Sequence, residues 1–318
     1  MSEPTADSDR LDVEDALTAL LAYANSLRES ALSLATAGRL ADATKLSGLA
    51  VTTLRAAGVP ADDSVRILLA TMLSDHAANL AETGQATEGM AAAAEAAGIW
   101  RSVCEAHPRL RRKMVNALAN QAWCLRLQER DTEAASVYEQ ACGILRELSA
   151  DSPGEWPMLA DLLGHQAYVQ LRAGRYAYAA LARAEEVGLR RDLRAAVPDG
   201  DRRLADTLTE YAVACDQAEH PAVAMKAADE AVAIYRDLYG AEPGPEWARL
   251  GRGLLVGGKI RLRLGQPVQA VGPFASAMAM ALKAGDTEFA SSCRAGISLA
   301  READPAGFEI EWKRLTGG

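Results

Sequence analysis

The chain has 318 residues, a net charge of −9 at neutral pH and 49% hydrophobic residues, with alanine making up about a fifth of the whole. That length can bury a large core, either as two globular domains or as one elongated repeat domain. The acidic balance argues against a protein built to bind nucleic acid, and no apolar run approaches the ~18 residues that a membrane-spanning helix needs.

The N-terminal stretch carries Glu3, Asp7, Asp9, Asp12, Glu14 and Asp15 against Arg10 alone. Residues 1–12 are expected to form an acidic disordered tail. It has no apolar core of the kind a signal peptide uses, so a cytoplasmic location is expected. The five cysteines (Cys104, Cys124, Cys142, Cys215 and Cys293) contain no C-x-x-C and fall inside helical patterns. They read as buried thiols, with neither a disulfide frame nor a zinc site expected.

From residue 13 onward the chain repeats. Gly38, Gly84, Glu129, Gly174, Glu219 and Gly265 are anchors spaced 45 or 46 residues apart. Eleven residues before each anchor stand Leu27, Leu73, Leu118, Leu163, Leu208 and Leu254. Seven before stand Ala31, Ala77, Ala122, Ala167, Ala212 and Gly258. Five after stand Ala43, Gly89, Ala134, Ala179, Ala224 and Ala270. Twelve after stand Ala50, Ala96, Ala141, Ala231 and Ala277, with Glu186 as the exception. Small residues on facing helices let two backbones approach closely, and the leucine one turn away supplies apolar area. Each unit is therefore read as a helix A, a turn at the anchor and an antiparallel helix B. The four anchor glycines suit a left-handed residue after helix A. Glu129 and Glu219 suit it poorly, so those two turns are expected to be made differently. Pro60, Pro108, Pro153, Pro198 and Pro243 mark the outer ends, where proline stops one helix and opens the next.

The expected repeats are 13–60, 61–107, 108–152, 153–197, 198–242 and 243–285. An extra helix over 286–303 and a last segment over 304–318, carrying Phe308 and Trp312, would cap the stack. No segment alternates with period two, so no strands are expected.

The order leucine, small residue, turn, alanine, alanine, proline resembles the tetratricopeptide repeat (TPR). It shows well in Ala117-Leu-Ala-Asn-Gln-Ala-Trp-Cys-Leu125 followed by Glu133-Ala-Ala-Ser-Val-Tyr-Glu-Gln-Ala141. The usual TPR period is 34 residues; the longer one here is similar to that of the kinesin-light-chain type. The resemblance implies an all-α, right-handed α-solenoid of six helix-turn-helix repeats with a C-terminal capping helix pair.

Signs of chemistry are few. His76, His107, His165 and His220 form no ligand or catalytic pattern. Gly253-Leu-Leu-Val-Gly-Gly-Lys-Ile260 imitates a phosphate loop, but Ile260 stands where Ser or Thr should hold magnesium, and the segment lies within a helix A. Arg55, Arg101, Arg146, Arg191 and Arg236 recur seventeen residues after their anchors; they read as a solvated edge paired with neighbouring acids. Neither a cofactor nor a metal is expected, and no enzyme activity.

By the TPR resemblance, positions −13, −10, −6, −3 and −2 from the anchor should line a concave groove. Asn116, Trp123 and Arg126, with Asn120 at the edge, would contribute from the third repeat, and Tyr168 and Arg172 from the fourth; the other reading places Trp123 and Tyr168 in the inter-helix core. Arg252, Lys259 and Arg263 would contribute from the sixth. Amides can clamp an extended backbone, guanidinium groups a carboxylate, and aromatic rings an anchor side chain. The expected function is a non-catalytic interaction module that binds a peptide or partner helix of another protein, with nucleic acid and membrane excluded as partners. The alternative is a regulatory sensor acting through a separate effector chain.

Overall fold

The computed structural model describes residues 6–56, 63–240 and 244–317, and among them no strand occurs. The chain divides into two compact units, Met1–Glu155 and Trp156–Gly318.

The first unit holds three helical hairpins. They are α1 (Ala6–Thr36) with α2 (Leu40–Ala56), α3 (Asp63–Glu82) with α4 (Ala86–Ala106), and α5 (Arg111–Leu127) with α6 (Asp131–Asp151). Helices α1, α3 and α5 are the A helices, and they pack on one another in that order. The second unit holds α7 (Trp156–Arg172) with α8 (Tyr176–Leu193), α9 (Gly200–Gln217) with α10 (Pro221–Tyr239), and α11 (Trp247–Arg263) with α12 (Pro267–Ala284). It ends in α13 (Thr287–Ala303) and α14 (Pro305–Thr316).

The repeating slots are the core. The leucines at −11 in the second to sixth repeats are all at most 3% exposed, and the alanines at +5 and +12 are closed to solvent or nearly so. Glycine reaches the same end in the sixth repeat by a different route. A Cβ at Gly258 of α11 would lie 2.6 Å from the ring of the fully buried Phe274, and so would one at Gly296 of α13. The ring is thus seated between two helices that carry no side chain there. Phe308 closes this end, with Trp312 stacked on it at 5.5 Å.

All six anchors adopt the left-handed conformation, with φ between 60° and 81°. Glu129 (φ 60°) and Glu219 (φ 63°) do so as well, which corrects the expectation of different turns there. The reason is the hydrogen-bond pair that ends every A helix. Gln85 N–H donates to the Leu80 carbonyl at 2.8 Å and Gly84 N–H to Ala81 at 3.1 Å. The same pair recurs at Glu129, where Arg130 N–H donates to Leu125 and Glu129 N–H to Arg126, both at 3.0 Å. This motif satisfies orphan carbonyls and offsets the steric cost of a side chain at positive φ.

Helix α1 begins at Ala6, inside the stretch expected as a tail. Residues 1–5 lie outside the described residues, as do Pro60 and Pro243. Pro108 and Pro153 each open a short 3-10 turn before the next A helix.

Two rungs of the arginine ladder are paired with the next B helix. Arg55 of α2 bonds Glu95 of α4, and Arg191 of α8 bonds Glu230 of α10 at 2.7 Å.

Candidate functional site on the A helices

Helix α7 keeps one stripe open. On α7 the exposed residues are Asp161, His165, Tyr168 and Arg172, at −13, −9, −6 and −2 from the anchor. That is the i, i+4, i+7, i+11 stripe of one helix face. On the same helix Gly164 at −10 and Leu171 at −3 are half-buried. Thr209 and Asp216 of α9, at −10 and −3, are buried. At −9, His165 is exposed and Asp75 and Glu210 are half-buried, residues that the sequence pattern did not single out.

Asn116, Asn120, Trp123 and Arg126 belong to the first unit. Asn116 is exposed on α5, and Trp123 is half-buried. Asn120 donates its amide N–H to the Ser74 carbonyl of α3 at 2.8 Å, so this side chain ties two A helices together. Arg28 of α1 bonds Asp75 of α3 at 2.6 Å in the corresponding place one repeat earlier. Arg126, at −3, is half-buried; it opposes the burial that pushes the Tyr138 phenol of α6 up to about 12.

Tyr168, Arg172, Arg252, Lys259 and Arg263 belong to the second unit. Tyr168 is 40% exposed. Arg252 bonds Glu210 of α9 at 2.6 Å, and Arg263 bonds Asp216 at 3.1 Å. Lys259, between them on α11, is exposed and forms no ion pair among the described residues.

Beside Arg252 opens a pocket of about 320 Å³ between α9, α10 and α11. Asp206 is its organising group. It accepts from the Tyr235 hydroxyl at 2.7 Å and from the Arg249 guanidinium, which also donates to Glu246 at 3.0 Å. Burial, then the Asp206 carboxylate, pushes the Tyr235 phenol well above its ordinary range, so it stays a donor. The pocket thus presents two carboxylates, Asp206 and Glu210, and two guanidinium groups, Arg249 and Arg252. The −13 slot common to Asp206, Asp161 and Arg252 was the only sequence signal for it.

A second charged cluster is closed. Glu186, the exception in the alanine series, is 3% exposed between Arg183 and Arg190, themselves 8% and 7% exposed. It accepts from Arg183 at 2.6 Å, from Arg190 at 3.3 Å and from the Thr207 hydroxyl at 3.2 Å. Arg190 reaches on to Asp161 at 2.6 Å, which joins the cluster to the open face of α7. Gly164 makes the room: a Cβ there would lie 3.2 Å from Arg183 and from both Glu186 oxygens.

Among the described residues, no group of three or more His, Cys, Asp or Glu could hold a metal ion. No helix among them is long and apolar enough to cross a membrane.

No protein-family model matches the sequence, and none of the curated proteins is similar to it. Solved structures are similar in fold. The apo form of RapI matches with a TM-score of 0.55 at 12% identity, over 93% of this chain and 100% of that one. The nearly identical TPR-like repeats of a Podosopora anserina kinesin light chain match at 0.53 and 15% identity, over 69% of this chain and 97% of that one. This chain has a TPR-type repeat fold. The TPR fold also matches a signal-transduction ATPase with a tetratricopeptide repeat sensor from Pyrococcus horikoshii, with a TM-score of 0.52 and 14% identity. There the match covers 92% of this chain and 43% of that one. At such identities the likeness speaks for fold alone.

Proposed function

We propose that the chain is a non-catalytic interaction module that holds a peptide or partner helix of another protein against the open A-helix face of its second unit. The observation that carries this is the row Arg252, Lys259 and Arg263 along one stripe of α11, alongside the exposed Tyr168 and Arg172 on the same slots of α7. Two of the row's cations are held by α9 carboxylates, so their direction is set before a partner arrives. Such preorganisation lowers the ordering cost of binding. The side chains of Arg252 and Arg263 remain 56% and 45% exposed, so each can take a second acceptor. An acidic or carboxylate-ended segment with one anchor side chain fits this set.

The test compares partner recovery by the intact chain with that by Lys259→Glu and by Arg252→Glu/Arg263→Glu. Loss in both, with helicity retained, is the expected result. Recovery unchanged in both defeats the reading for this face. Trp123→Ala and Arg126→Ala then ask whether the first unit takes part.

The pocket at Asp206 favours a second reading, a sensor of a small ligand acting through another chain. Its volume falls at the lower end of that usual for small-molecule sites, about 300–1,000 Å³, and its four charges suit a zwitterion. The similar archaeal protein carries its repeats as a sensor. Calorimetry with free amino acids and short peptides, against Arg249→Ala, separates the two readings.

A further inference from the structure

The B-helix side of the first unit holds a groove of about 620 Å³ between α2 and α4, with α3 as its floor. The opening exists because facing positions are small: Gly48 on α2, and Ala91 and Ala92 on α4. Leu49 stands on the wall, 46% exposed. From Lys45 to Arg55 the wall runs ten residues, about 15 Å at the rise of a helix. Away from their ends the helical walls engage their backbone groups within their own helices, so an extended strand would find few main-chain partners there. A helix brings its own backbone hydrogen bonds and needs only side-chain complementarity.

The floor carries one polar atom that is not engaged. The Ser47 hydroxyl donates to the Thr44 carbonyl at 3.1 Å and accepts from the Asn79 amide at 3.3 Å. Nδ1 of His76 lies 2.8 Å from this hydroxyl, so the ring is tied to α2 through that nitrogen. Nε2 has no hydrogen-bond partner among the described residues, on a ring that lines the groove. Burial, and next the charge of Arg55, hold this imidazole neutral. At the rims, Arg55 and Glu95 neutralise each other across one end of the groove. At the other end Lys45 of α2 and Glu88 of α4 form no ion pair among the described residues. The two rims therefore differ in sign.

We propose that this groove docks an amphipathic helix of a partner protein whose apolar stripe carries one hydrogen-bonding side chain opposite His76, with an acidic edge towards Lys45 and a basic edge towards Glu88. The site lies on the B helices of the first unit, so it stands or falls independently of the A-helix face.

The probe is a stapled, fluorescein-labelled helix of about fourteen residues with a leucine stripe and one central glutamine, whose amide can both donate and accept. Three versions carry edges of glutamate and lysine, of glutamate only, or of lysine only. Each is titrated by anisotropy into the full chain. The mixed-edge probe should bind about three- to tenfold tighter than either single-sign probe. Lys45→Glu should transfer the preference to the lysine-edged probe. Ala91→Trp, at an exposed position that leaves the fold intact, should abolish saturable binding. Replacing the probe's glutamine with methionine should weaken binding to the intact chain but not to His76→Phe. Equal binding of the three probes, binding that survives Ala91→Trp, or no saturable binding at all would each overturn the proposal.

Discussion

The ring of Phe274 occupies the space that a side chain on Gly258 would need, with 2.6 Å between the ring and the position of the missing Cβ. Gly258→Ala should therefore lower stability by about 1–3 kcal/mol, the usual cost of overpacking a closed core. Gly257, its neighbour, faces the guanidinium end of the long Arg261 side chain at 3.1 Å and Ala228 at 3.8 Å. Gly257→Ala should be neutral or stabilising by up to ~1 kcal/mol, from helix propensity. Urea unfolding of the two variants reads the difference directly. Opposite signs are expected from adjacent residues.

Glu129 and Glu219 hold φ values of 60° and 63°, where a Cβ is strained. Glycine at either position should raise the unfolding free energy by about 1 kcal/mol relative to glutamate. Gly84→Ala, with φ 81°, should lower it by a similar amount. Thermal melts of the three single variants test this. A loss on Glu129→Gly would show that the glutamate side chain makes contacts worth more than the strain.

The closed Arg183–Glu186–Arg190 cluster sets a sharper test. Glu186→Ala installs the residue that the other five repeats carry in that slot, yet it takes the carboxylate from two guanidinium groups that are more than nine-tenths buried and leaves Arg190 only Asp161. A loss of about 3–5 kcal/mol is expected. Adding Arg183→Leu and Arg190→Met to Glu186→Ala should recover most of it, because an apolar replacement removes the uncompensated charges as well. Chemical denaturation of the single and triple variants decides between a balanced ion cluster and one whose members act separately.

His76 links the first unit to pH. Its folded value lies below the ordinary 6.5, because burial and then Arg55 disfavour the charged ring. The unfolded chain therefore binds the proton more readily. Stability from this residue is fully present above about 6.5 and is lost as pH falls from there towards the folded value. The midpoint for urea unfolding should drop over that window in the intact chain, and drop less in His76→Phe.

Cys124 gives a prediction in time. Burial pushes its thiol up to about 11, so very little thiolate exists near neutrality. Alkylation by iodoacetamide at pH 8 should track unfolding, not simple exposure to reagent. Rapid labelling of the native chain at this position would contradict the packing around Gly89, where a Cβ would lie 3.0 Å from the Cys124 sulfur.

The periodic core was legible before any coordinates, because leucine at −11 and alanine at +5 and +12 report directly on close approach of helices. The open face was legible only to within one residue. Positions −10 and −9 are 100° apart on a helix, and small or polar residues such as Ala119, Asn120 and Gly164 give no apolar signal to choose between them. Glu129 and Glu219 misled because residue type was weighed above the two backbone hydrogen bonds that hold the turn. The groove beside His76 was not legible at all. It depends on Gly48 meeting Ala91 and Ala92 across two helices, and no local pattern records which small residues face a void. The phosphate-loop imitation was rightly read as helix, and its glycines now have neighbours: Val232 lies 3.2 Å from a Cβ at Gly253, and Phe274 closes on Gly258.

Six corners of one geometry have a consequence for how such a chain can change. Since the bend between A and B is set by its own left-handed residue and two backbone bonds, the corner acts as a fixed reference mark for each hairpin. Length can then be gained or lost at the far ends, near Pro108 and Pro153, without moving the buried alanines out of step. Insertions tolerated there and rejected at the corners would be the evolutionary trace of that division of labour.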